Sequence, residues 1–248
     1  MPKALSLAWL RCRKSLRANL ITGVVLWSFG FLIILSYNWS PGFSRLLGNL
    51  GSLKKEWSYL YSSISTAFFG GLIPYLFLYY RGMVPVGLKI SWLLFFLIYW
   101  GMKGMEVDAF YRMQGYLFGY ESNFGTILTK VLVDQFVYCI FWSAPFTAVF
   151  YGWKKARFKI VTNPPWLSFR YICEESTFLL LSTWIIWIPS VSIIYAMPEN
   201  LQIPLFNITL CFFVLVISVL ELHVNNSNKK EISEPFLNKD SKLFTRKL

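Results

Sequence analysis

Apolar residues in this chain gather into continuous runs, and the polar residues collect between them. A strand of a membrane barrel would alternate apolar and polar residues over about ten positions. A continuous run approaching the roughly 20 residues that cross a bilayer's hydrocarbon core is instead read as a helix. Six runs qualify: 20–37, 57–80, 88–104, 130–153, 177–197 and 205–222. The third continues as a polar helix to residue 119. It and the sixth are short for full spans, and Pro189 is expected to kink the fifth. The predicted fold is all-α and polytopic, with five to six transmembrane helices in one bundle over residues 20–222. Residues 1–19 read as a basic flank. Residues 223–248 are polar and charged, a composition that stays disordered.

Composition agrees. The chain is 56% hydrophobic, 19% aromatic and only 15% charged, where soluble domains average about 25% charged. The net charge of +12 changes the picture only through its placement. With six spans and both termini on one side, 18 of the 24 basic residues fall on that side. They cluster before the first run, at Arg81 and Lys89, from Lys154 to Arg170, and in the tail. The positive-inside rule then places both termini in the cytoplasm, or in the matrix of a mitochondrion. The implied location is a bacterial inner membrane, or an organelle membrane in a eukaryote. Bases scattered over short loops argue against nucleic acid as a partner and for anionic lipid headgroups. The acid-poor N-terminus suits a mitochondrial targeting segment as well as a cytoplasmic flank.

Several chemistries are excluded. His223 stands alone at the edge of the last run, so no Ser-His or Cys-His base is on offer. Cys12, Cys139, Cys173 and Cys211 form no CxxC pair, which argues against a zinc site and a disulfide framework. No phosphate-binding loop or dinucleotide fingerprint occurs. The expectation is a non-enzymatic protein with no cofactor and no metal.

Two features remain. Ser62, Thr66 and Gly70 recur every four residues, with Pro74 next, and Ser63, Ala67 and Gly71 run beside them. Small residues so spaced let helices approach closely in lipid, within one chain or between copies of a homo-oligomer. The second feature is polarity. Asp108 and Arg112 stand one helical turn apart, as do Lys130 and Asp134, with Gln135 following. An unpaired Asp at mid-bilayer costs about 2.5–3.5 kcal/mol even on the most forgiving scale. Antiparallel third and fourth spans would gather Asp108, Arg112, Lys130 and Asp134 into one formally neutral cluster beside the outer loop.

Gly104 with Tyr111, then Lys130-x3-Asp134-Gln135, then a Trp/Pro-containing run ending at Pro198, resembles the Mpv-seventeen and twenty-two-kilodalton peroxisomal membrane protein family. The resemblance covers residues 88–218. Asp108 stands where that family has a histidine, Ile140 where it has a proline, and Trp187-Ile-Pro189 replaces its Trp-Pro pair. These departures imply a divergent branch, bacterial in type. The resemblance implies a small multi-span protein, some of whose relatives act as weakly selective pores. The expected function is a pore or small-solute permeability protein, with Asp108, Arg112, Lys130, Asp134 and Gln135 as lining or gate. The alternative is a membrane scaffold whose polar cluster only locks helices together.

Overall fold

The computed structural model describes residues 23–24, 27–28, 30–33 and 35–214, in which there is helix and turn but no strand. The basic flank 1–19, the tail 223–248, Cys12 and His223 lie outside the described residues. The helices are α1 (Gly30–Trp39), α2 (Pro41–Tyr80), α3 (Lys89–Phe118), α4 (Phe124–Lys155), α5 (Phe169–Tyr195) and α6 (Glu199–Val214). Their starts follow the sequence. Ser40, Asn123 and Ser168 each turn a side-chain oxygen onto a backbone N–H of the first turn of α2, α4 and α5. Gly119, at φ 93°, ends α3 in a conformation that side chains resist.

Among the described residues the all-α fold stands, with three to four candidate spans against the five to six expected. Among the described residues, α2, α3 and α4 are each long and apolar enough to cross a membrane, and α5 makes a fourth if its two halves count as one. The described part of the first run contributes α1, which is too short alone, and α6 is likewise short. α2 starts far upstream of the predicted boundary at 57, so residues expected in an outer loop are helical. α3 runs unbroken through its polar half to Phe118. The 60° bend of α5 lies between Leu181 and Thr183 rather than at Pro189. There Thr183 Oγ1 donates to the Leu179 carbonyl at 2.8 Å, a side-chain bond that competes with the helix ladder and favours bending.

α2 and α4 each contain a π-helical stretch, Ala67–Leu72 and Val133–Ser143. Each ends two residues before a proline, Pro74 and Pro145. Proline in a helix removes one backbone bond and crowds the carbonyl four residues back. A wider turn just upstream absorbs that strain.

α2 and α3 cross on their small residues. Ser62, Thr66, Gly70 and Gly71 are buried there. A methyl group on Gly71 would stand 2.8 Å from the Phe96 carbonyl oxygen. One on Gly104 would overlap the Ser62 carbonyl oxygen and lie 2.6 Å from Thr66 Oγ1. Thr66 Oγ1 also donates to Asn207 Oδ1 at 2.7 Å, tying α6 to the crossing. The core of α3, α5 and α6 is aliphatic and aromatic, including Val107, Val191, Ile194 and Phe206. Outward faces are apolar as well, with Ile98 59% and Phe141 75% exposed. An apolar exterior around buried polar groups is the arrangement lipid requires.

Candidate functional site

Asp108 anchors the first polar cluster, at the C-terminal half of α3. Lys54 Nζ and Ser62 Oγ both donate to its Oδ2 at 2.7 Å, and Arg112 Nε donates to Oδ1 at 3.0 Å. Arg112 Nη2 reaches on to Ser58 Oγ at 2.8 Å. Ser58 breaks α2 at φ 51°, ψ −123°, the turn conformation that glycine normally takes. The break turns its carbonyl oxygen toward Lys54 Nζ and Ser62 Oγ, which donate to it at 3.5 and 3.3 Å. A serine held there stores about 1–3 kcal/mol of strain, which the surrounding bonds must offset.

The second cluster centres on Asp134. Tyr195 Oη donates to Oδ2 at 2.6 Å, and Gln135 Nε2 donates to Oδ1 at 2.7 Å. The Cys139 thiol points at Oδ1 from 3.6 Å. Gln114 Nε2 extends the network, donating to Tyr195 Oη at 2.7 Å and to the Lys130 carbonyl at 3.2 Å. Asp134 has no lysine or arginine within ion-pair distance among the described residues. Lys130, four residues earlier, instead lies 5.8 Å from the Tyr120 and Tyr195 rings. The i,i+4 pairing fails because the π-helical stretch begins at Val133 and turns Asp134 away from the face that Lys130 occupies. The single neutral cluster of four charges is therefore corrected to two separate clusters.

A third group lies closer to the middle of α3. Lys103 Nζ donates to Glu106 Oε1 at 2.6 Å and to Ser143 Oγ at 3.1 Å. Tyr138 Oη donates to the same Glu106 oxygen.

Two cavities border these groups. One, of about 430 Å³, is bordered by Lys54, Asp108, Arg112 and Glu199. The other, of about 200 Å³, lies between α3, α4, α5 and α6; Asp134, Gln135 and Lys103 face it, among aromatic walls that include Trp184 and Trp187. Tyr111 borders both. Its ring lies 5.0 Å from that of Tyr195 and 6.4 Å from that of Phe206.

Asp108, Arg112, Asp134 and Gln135 thus line cavities inside the bundle, whereas Lys130 lines neither. Sequence reasoning missed Lys54, Ser58, Lys103, Tyr138 and Tyr195; Tyr111 entered only through the family motif, and Glu106 and Gln114 only as further polar residues of α3. Two signals existed: a buried Asp108 flanked by a single arginine calls for a second donor, and Lys103 and Glu106 stand three apart on one face. No three metal-ligating side chains come together among the described residues. Compared with family models, curated proteins and solved structures, the chain has no match.

Proposed function

We propose that this protein is a membrane pore or small-solute permeability protein, with a narrow path along α3 that is closed in this conformation. The observation that carries the reading is the meeting of two cavities at Tyr111. Together they border α3 from Arg112 back to Tyr99. That is about 20 Å at 1.5 Å per residue, roughly two thirds of the hydrocarbon core. Asp108 and Arg112 stand at one mouth, and Asp134 and Gln135 lie deeper. Tyr111 closes the passage between the cavities. Tyr99 closes the far end, stacked on Phe95 and edge-on to Tyr151. Ionisable groups at membrane depth mark solute paths by default.

The reading is non-enzymatic. The described residues include no histidine, and Lys103, beside Ser143, is committed to Glu106 and supplies no general base. The resemblance to the Mpv-seventeen family supports the same function. Anionic headgroups are its expected lipid partners. One observation favours the scaffold instead: the charge of Asp108 is compensated by Lys54 and Arg112, with Ser62 as a further donor, as at a purely helix-locking residue.

Solute efflux from proteoliposomes separates the two. Tyr111→Ala, which removes the ring between the cavities, should raise efflux of small polar solutes several-fold over the parent protein. A folded variant whose efflux matches that of empty vesicles would leave the scaffold.

A further inference from the structure

The cavity against Asp134 carries an unbalanced charge. Among the described residues, only Lys103 and Asp134 bring formal charges to its wall. Lys103 is already neutralised by Glu106 at 2.6 Å. Asp134 has no cation partner among the described residues, so the lining they form is left with one negative charge in a largely apolar enclosure. A buried carboxylate without a counter-ion is costly, and the cost falls when a cation comes to it.

The carboxylate also has room. Its two oxygens offer about four acceptor positions. Gln135 and Cys139 occupy Oδ1, whereas Oδ2 takes only the Tyr195 hydroxyl. One position on Oδ2 is open. Tyr111, Tyr138, Trp184, Trp187 and Phe206 line the same cavity as Asp134. Aromatic faces attract a cation within about 6 Å and cover its apolar body.

We propose that this cavity is a binding site for a small organic cation, an ammonium group joined to a compact apolar body. The ammonium sits against Asp134 Oδ2, and the body lies among the tryptophans. The cavity, about 200 Å³, suits a molecule with few heavy atoms. The proposal deepens the permeability reading, since it names the solute class that the path would accept. Its failure and the failure of that reading are nevertheless separable, because one is read by binding and the other by flux.

The test is calorimetric titration of the full chain in a neutral detergent with three probes of one shape: phenethylammonium, 2-phenylethanol and phenylacetate. The ammonium should bind at least about ten-fold tighter than the alcohol, the size of a charge-assisted bond in an enclosed site, and phenylacetate should not bind. Asp134→Asn should remove that preference while leaving the alcohol's affinity unchanged. Trp184→Leu should weaken ammonium binding with the carboxylate intact. Equal binding of ammonium and alcohol overturns the site, as does no binding of any probe or a preference that survives Asp134→Asn. The three-probe series on the parent protein decides the question even where Asp134→Asn does not fold. Ammonium binding without vesicle efflux leaves the site standing and removes the pore. Efflux without ammonium preference does the reverse.

Discussion

Asp108 and Asp134 each receive three donors, yet Asp108 has two cations among them and Asp134 has none. At Asp108 the two cations are not equivalent. The side chain of Lys54 is 5% exposed and that of Arg112 is 37% exposed. Lys54→Met leaves a buried carboxylate short of its enclosed partner, which should cost about 3–5 kcal/mol. Arg112→Gln removes a partner that solvent already screens and should cost no more than about 1 kcal/mol. Thermal unfolding in detergent, followed by circular dichroism, should place the Lys54 variant well below the Arg112 variant. Equal midpoints would mean that the two cations share the load. At this scale the sequence was legible where contacts are local. Asp108 and Arg112 are one turn apart on one helix, and their pairing follows from helical spacing. Lys54 is 54 positions from Asp108, and Tyr195 is 61 from Asp134. No periodicity connects such positions.

Among the elements, the crossing of α2 and α3 decides most. Gly104 sits where a methyl would strike the Ser62 backbone, so no side-chain rotation relieves the clash. Gly104→Ala should force the helices apart and cost about 1–3 kcal/mol. Gly48, also in α2, meets nothing within 4 Å of a built Cβ. Gly48→Ala should be neutral, or stabilising by up to about 1 kcal/mol from helix propensity. Yield and unfolding midpoint of the purified variants check both, and a well-tolerated Gly104→Ala would show that the crossing is loose. The stripe of small residues was visible as a four-residue repeat. Its partner glycines on α3 were not identified, because a repeat states that something approaches closely without stating what. The π-helical stretch from Val133 was equally hidden. It depends on Pro145, ten residues beyond Gln135, and it spoils the spacing argument that paired Lys130 with Asp134.

For the whole molecule, short connections make α2 to α5 antiparallel neighbours, so turns 81–88 and 156–168 share one end. The ring of Phe158 packs 5.6 Å from that of Phe95, joining the second turn to the start of α3. Arg81, Lys89, Lys155, Arg157 and Lys159 gather at this end, which the positive-inside rule assigns to the cytoplasm. Cysteines placed singly at Val86 and at Glu121, both exposed, in a cysteine-free background report the orientation. An impermeant thiol reagent should label Glu121→Cys in intact cells and Val86→Cys only after permeabilisation. The opposite pattern would invert the bundle. Residues 199–204, expected as an outer loop, are the first turns of α6, with Leu201 and Ile203 in the core. Leu201 to Pro204 are buried and would be poor sites for such a label, whereas Glu199 is exposed.

By itself the sequence determined the material of this protein: helices, long apolar faces, a basic bias toward one end, small residues at one crossing and a handful of charges too deep to be incidental. These properties are local or additive along the chain, and they survive without knowledge of what lies opposite. Only the tertiary structure decided how many of the described helices are long enough to span, which residues complete each carboxylate, and that Tyr111 borders two cavities. Those outcomes depend on breaks in the helices at Ser58, at Val133 and near Leu181. Each break rotates everything after it, so an error of a fraction of a turn sends a side chain to a different partner.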